Sequence, residues 1–325
     1  MKNLILGTMT LFFAAANAFF QTSTPLPAPA LTEKDYIRVD PDPAKGFTYP
    51  YYLYVPKEFG GPAERGKVQT LFVAPNNTGK VDDDLAVHEF DVKRRMVTSG
   101  AVASAIKVAV LMPVFPRPKT DWKIYTQALD RDSMLTEKKE YRRLDLQLIA
   151  MIDHAIASQA KLGIKFDSRV LLNGFSAQGM FVNRFTFLHP NRVKAAAIGS
   201  PGGWPIAPVE KYKDKTLRFP IGVADLKLVS GKKLDLKTLR KVPLFIFIGD
   251  KDDNDSVPFD DSYDDEDRDL INPLFGKTPV SRWEISKQLY KDARLNAEFR
   301  LYPGVAHTVT TQMRDDIRAF LLRNK

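Results

Sequence analysis

The chain of 325 residues has no cysteine, only four histidines, and past residue 20 no apolar stretch long enough to cross a bilayer. Each shortage closes a class of answers. Without a thiol there is no disulfide, no thiolate metal site, no cysteine nucleophile and no lipid-modified cysteine anchor, so a large apolar core must hold the fold unaided. A histidine-dependent reaction must draw on His88, His154, His189 or His307. No cofactor motif and no recognisable nucleic-acid module occurs, so neither a cofactor nor a nucleic-acid partner is expected.

What is present is ordinary for a globular protein: 44% hydrophobic and 27% charged residues, enough for one full-sized α/β domain. The first twenty residues stand apart. Lys2, an apolar run from Leu4 to Ala16, and Ala16-Asn17-Ala18 with the small-x-small spacing of a cleavage site predict a signal peptide over 1–18. A membrane anchor fits less well, because the run is short and holds Thr8 and Thr10. A proline-rich leader follows over 19–31, and the domain spans 32–325. The expected product is secreted or periplasmic, with no stable membrane insertion after signal removal; nothing in the chain specifies an oligomeric state.

Charge is unevenly spread. Trp204–Val242 holds ten Lys/Arg against four Asp/Glu, net +6, and Asp250–Asp269 holds eleven acids against two bases, net −9. Asp250, Asp252, Asn254, Ser256 and Asp261 fall at calcium-loop spacing, but Asp255 stands where that loop needs glycine and no helix enters it, so a solvated acidic loop and no metal is the expectation. Asn76-Asn77-Thr78 and Asn254-Asp255-Ser256 are N-glycosylation sequons.

Short apolar runs alternate with helical periodicity. Strands are predicted over 48–55, 68–74, 107–114, 170–172, 193–198, 244–248 and 297–302, the first an edge strand because Pro50 lies in it. Helices are predicted over 82–99, 141–162, 180–188, 281–293 and 308–322. Continuous apolar strands between helices imply a mostly parallel sheet covered on both faces. Residues 201–242 break the alternation as a basic, lid-like excursion at the end where open sheets bind ligands.

The chemistry concentrates in Gly174-Phe175-Ser176-Ala177-Gln178-Gly179, where a strand turns sharply into a helix and leaves Ser176 at the tip. The base for such a serine is His307, placed by Pro303-Gly304-Val305-Ala306 on a loop just beyond a strand end. The acid that would orient it follows the preceding strand: Asp252, three residues after Gly249, with Asp253 and Asp255 also within reach. In this order, and with these three motifs, the chain from about Thr48 onward resembles serine hydrolases of the α/β-hydrolase fold, and among them secreted poly(3-hydroxybutyrate) depolymerases and feruloyl or acetylxylan esterases. The resemblance implies an exported carboxylic-ester hydrolase working through an acyl-enzyme on Ser176. It departs from the usual pattern in Gln178, where the second elbow glycine normally stands, and in lacking a His-Gly-Gly-Gly loop.

An oxyanion hole then needs two backbone donors: Ala177, next to the serine, and either Asn77 or Thr78 in the loop Pro75-Asn76-Asn77-Thr78-Gly79. Trp204 follows a strand end on the same side, where its indole could stack on substrate or anchor the excursion. The substrate class is a small-molecule or polymer ester, with anions favoured if the basic excursion roofs the pocket. Two other functions fit the same residues: a serine peptidase on the same fold, or an exported binding protein that keeps the fold without turnover.

Overall fold

The computed structural model describes residues 31–325. The expected signal peptide, and all of the leader but Leu31, lie outside the described residues. Eight strands form the main sheet: β1 (Tyr36–Val39), β2 (Tyr51–Tyr54), β3 (Leu71–Val73), β4 (Ala109–Pro113), β5 (Val170–Phe175), β6 (Val193–Gly199), β7 (Leu244–Gly249) and β8 (Ala297–Tyr302). Their spatial order is β1-β2-β4-β3-β5-β6-β7-β8. The β1–β2 and β2–β4 junctions are antiparallel and the rest parallel.

The helices long enough to cover this sheet are α1 (Leu85–Ile106), α2 (Leu144–Ala160), α3 (Ala177–Leu188), α4 (Asp265–Phe275), α5 (Trp283–Asp292) and α6 (Thr311–Arg323). Leu148 and Met151 of α2, Phe181 and Phe185 of α3, and Tyr290 of α5 pack one face. Val92 and Met96 of α1, with Met313, Ile317 and Phe320 of α6, pack the other. Two apolar faces explain why β4, β6 and β7 read as unbroken apolar runs. Every residue of α3 is buried, as expected of a helix wedged between the sheet and further layers. No described helix is long and apolar enough to cross a membrane.

Three details differ from expectation. The edge strand at this end is β1, which among the described residues pairs only with β2; Pro50 precedes β2 rather than interrupting it, so β2 can lie inside the sheet. The run 68–74 is divided, Val68–Gln69 pairing with Lys165–Phe166 outside the main sheet. Within the acidic run lies α4, whose start is fixed by a reciprocal cap between Asp264 and Asp267 and whose Ile271 and Phe275 are buried.

Candidate active site

The parallel strands point their carboxyl ends one way, and every group in question sits just beyond one of those ends. After β5 the backbone must reverse into α3 within one residue. Ser176 takes that strain, with φ 62° and ψ −129°, and its N–H donates to the Gly199 carbonyl (3.0 Å). The turn closes only because glycines stand where atoms nearly touch. A Cβ on Gly174 would lie 2.3 Å from the Gln178 carbonyl oxygen, and one on Gly179 would lie 2.3 Å from the Gly199 oxygen at the end of β6. The second close approach is therefore made by Gly179, one residue later than usual, which leaves position 178 free to carry a side chain.

After β7 the chain sets Asp252 beneath His307. Both carboxylate oxygens stand 3.0 Å from Nδ1, and Asp252 is 2% exposed. Burial, the largest single influence, would raise this carboxyl; the hydrogen bond from His307, the Ser200 hydroxyl, the His307 charge and the Asn254 N–H together outweigh it and hold Asp252 below the usual carboxylate range. The neighbouring candidates are occupied elsewhere or point outward. Asp253 is exposed, Asp255 pairs with buried Arg282 (2.8 Å), and Asp250 accepts the Gly304 N–H (2.7 Å), which ties the Asp252 loop to the His307 loop. Phe175, next to the serine, lies under the imidazole with ring centroids 4.8 Å apart. With Nδ1–H directed at Asp252, Nε2 keeps the lone pair. His307 and Ser176 line one cavity of about 440 Å³.

The loop after β3 is held from three sides. The Asn76 side chain brackets Phe115, donating to its carbonyl (2.7 Å) and accepting its N–H (3.0 Å). Arg95 of α1 donates to the Asn77 carbonyl (2.6 Å). Buried His88 contacts the Thr78 hydroxyl (2.8 Å). The Thr78 N–H donates to Gln127 Oε1 (2.7 Å), so it is not free to face an oxyanion, and the expectation narrows to Asn77. Among the described residues no acceptor takes the Asn77 N–H. Ala177, as the first residue of α3, likewise has no carbonyl four residues back to bond. The Gln178 side chain, buried, donates its amide to the Pro75 carbonyl and joins the elbow to this loop.

Trp204 is not a stacking platform for substrate. It is 2% exposed, donates its indole N–H to the Ile221 carbonyl (2.8 Å) and stacks on Phe275 of α4 at 4.0 Å. The excursion it anchors supplies no lining residue to the cavity just described, nor to a second one of about 360 Å³ that Ser176 also lines. Its charge is also partly spent. Arg218 reaches Asp264, Glu266 (2.5 Å) and Asp267 (2.8 Å), so the basic and acidic patches meet each other. The acidic run serves separate partners: Asp250 bonds Gly304, Asp252 faces His307, Asp255 faces Arg282 and Asp261 pairs with Arg117 (2.8 Å).

Phe175, Arg95, His88 and Gln127 were not singled out from sequence as parts of the site. Gln178 was visible as a departure from the motif, without a partner to explain it.

No protein-family model and no curated protein matches the chain. Solved structures do. The poly(3-hydroxybutyrate) depolymerase LpqC of Bordetella parapertussis is similar over 89% of this chain and 89% of its own, with a TM-score of 0.54 and 19% identity. Poly(aspartic acid) hydrolase-1 of Sphingomonas sp. KT-1 is similar over 86% and 94%, at 0.53 and 16%. An S-formylglutathione hydrolase of Agrobacterium tumefaciens is similar over 89% and 95%, at 0.50 and 14%. At such identities the likeness establishes architecture: the chain has the α/β-hydrolase fold.

Proposed function

We propose that this protein is a serine hydrolase of carboxylic esters acting through an acyl-enzyme on Ser176. The observation that carries the reading is His307, held by Asp252 at Nδ1, lining one cavity together with the strained Ser176. His307 Nε2 takes the Ser176 proton as Oγ adds to the acyl carbonyl. Asp252 stabilises the imidazolium without itself being protonated. The oxyanion is met by the N–H groups of Ala177 and Asn77. The imidazolium returns its proton to the departing alcohol oxygen, and a water activated by the same nitrogen then cleaves the acyl-enzyme.

The hydrolases among the structural neighbours agree with this chemistry, and the signal peptide expected from the sequence supports an exported product. Reaction with a fluorophosphonate probe, together with hydrolysis of 4-nitrophenyl butyrate, tests the reading. Wild type should be labelled at Ser176 and turn over the ester, while Ser176→Ala should do neither. An unlabelled, inactive wild type with this fold would instead be a binding protein.

A further inference from the structure

The cavity shared by Ser176 and His307 has an unbalanced lining. Arg95 and Arg314 contribute to it, and no aspartate or glutamate does. Arg95 is neutralised in part by Asp91, which it shares with Arg94. Arg314 is different. It stands in the first turn of α6, its guanidinium donates to the Val309 carbonyl (2.8 Å) and the Thr311 hydroxyl (3.1 Å), and among the described residues no carboxylate pairs with it. Of five guanidinium N–H groups, about three remain for a ligand. An apolar group here would leave the Arg314 guanidinium without a counter-charge, whereas a ligand carboxylate would accept its remaining N–H groups.

Which part of the substrate enters here follows from proton transfer. The leaving oxygen takes its proton from His307, so the alcohol portion lies on the side of the imidazole. His307 lines this cavity and not the second one, which Ala177 lines. Resting on the ester-hydrolase reading above, we infer that the substrate is an ester whose alcohol portion carries a carboxylate, and that Arg314 binds that carboxylate. The basic excursion has no part in this selectivity.

The test compares 4-carboxyphenyl butyrate with the neutral ester made by methylating its carboxylate, and mono-4-nitrophenyl adipate with 4-nitrophenyl methyl adipate. The first pair puts the charge on the alcohol, the second on the acyl group. Arg314→Ala should lower the charged-to-neutral ratio of kcat/KM at least about tenfold for the first pair and much less for the second. Arg314→Lys should keep most of the ratio, and Arg314→Glu should depress it further. Raising sodium chloride should erode the wild-type ratio more than that of Arg314→Ala.

Turnover of the neutral esters reports that each variant is folded. Arg95 is avoided as a probe because it holds the Asn77 carbonyl. Ratios that ignore Arg314, or a dependence confined to the adipate pair, would overturn the inference while leaving the hydrolase intact. Failure of wild type to cleave any of the four esters or to be labelled would remove both.

Discussion

The side-chain amide of Gln178 donates to the backbone carbonyl of Pro75, so the first turn of α3 and the loop that carries Asn77 are held as one unit. On the proposed mechanism one oxyanion donor comes from each of the two pieces, which would make their relative position a catalytic quantity. Gln178→Leu and Gln178→Glu should each lower kcat about ten- to a hundredfold with KM changed by no more than about threefold. Steady-state kinetics on a short-chain nitrophenyl ester reads this directly. A rise in KM alone would show that Gln178 only shapes the cavity.

Restoring the usual elbow makes a companion experiment. Gln178→Gly has room but loses the amide, and should show the same fall in kcat. Gly179→Ala does not have room: its Cβ would lie 2.3 Å from the Gly199 oxygen, against backbone that cannot yield. Thermal or denaturant unfolding should show a loss of roughly 3 kcal/mol or more, or no folded protein. A stable Gly179→Ala variant would mean the turn is looser than described.

The three aspartates after β7 should separate cleanly. Asp252→Asn leaves His307 without its acceptor and should cost about 10⁴ in kcat. Asp253→Asn should be near neutral in both activity and stability. Asp255→Asn leaves the Arg282 guanidinium, 1% exposed, without a counter-charge and should cost about 3 kcal/mol of stability. Equal small effects at all three positions would remove Asp252 from the site.

Two buried carboxyls give stability opposite slopes with pH. Asp252 is held below its ordinary value, so its contribution is complete above about pH 4 and disappears as pH falls through its folded-state value. Asp130 is pushed up to about 7 by burial and by Asp132, so folding favours its protonated form, and stability falls as pH rises from about 4 to 7. Asp130 also accepts the Ser133 N–H (2.8 Å), a role an asparagine can fill. Asp130→Asn should therefore stabilise the protein by roughly 1–3 kcal/mol at pH 8 and flatten the curve between pH 4 and 7. Urea unfolding across that range gives the answer; an unchanged slope would show that Asp130 ionises freely.

How much of this was legible in the chain depended on whether the signal was local. Runs such as Leu244–Gly249 announce a strand buried on both faces by themselves, and Gly174 with Ser176 announces a turn because only certain residues can close it. Asp252 could be favoured by its distance from Gly249, but choosing it over Asp255 required knowing that Arg282 waits for the latter. Thr78 shows the same limit, since the group that takes its N–H is Gln127, 49 residues away. A tryptophan at a strand end reads alike whether its indole meets a ligand or, as here, Phe275. The strand β1 is hard to read because only Tyr36 of its four residues is buried, so it carries little pattern, and α4 because its acidic first turn masks the apolar residues behind it.

His307 arrives late in the life of the molecule. Asn77, Ser176 and Asp252 follow β3, β5 and β7, whereas His307 follows β8, a strand that among the described residues pairs only with β7. As the chain is made, the Ser176 turn, the Asn77 loop and the Asp252 carboxylate can all be in place before His307 is. On the serine-hydrolase reading the chain would stay chemically silent until its last sheet strand docks, and fraying of that one strand in the finished protein would silence it again without unfolding the rest.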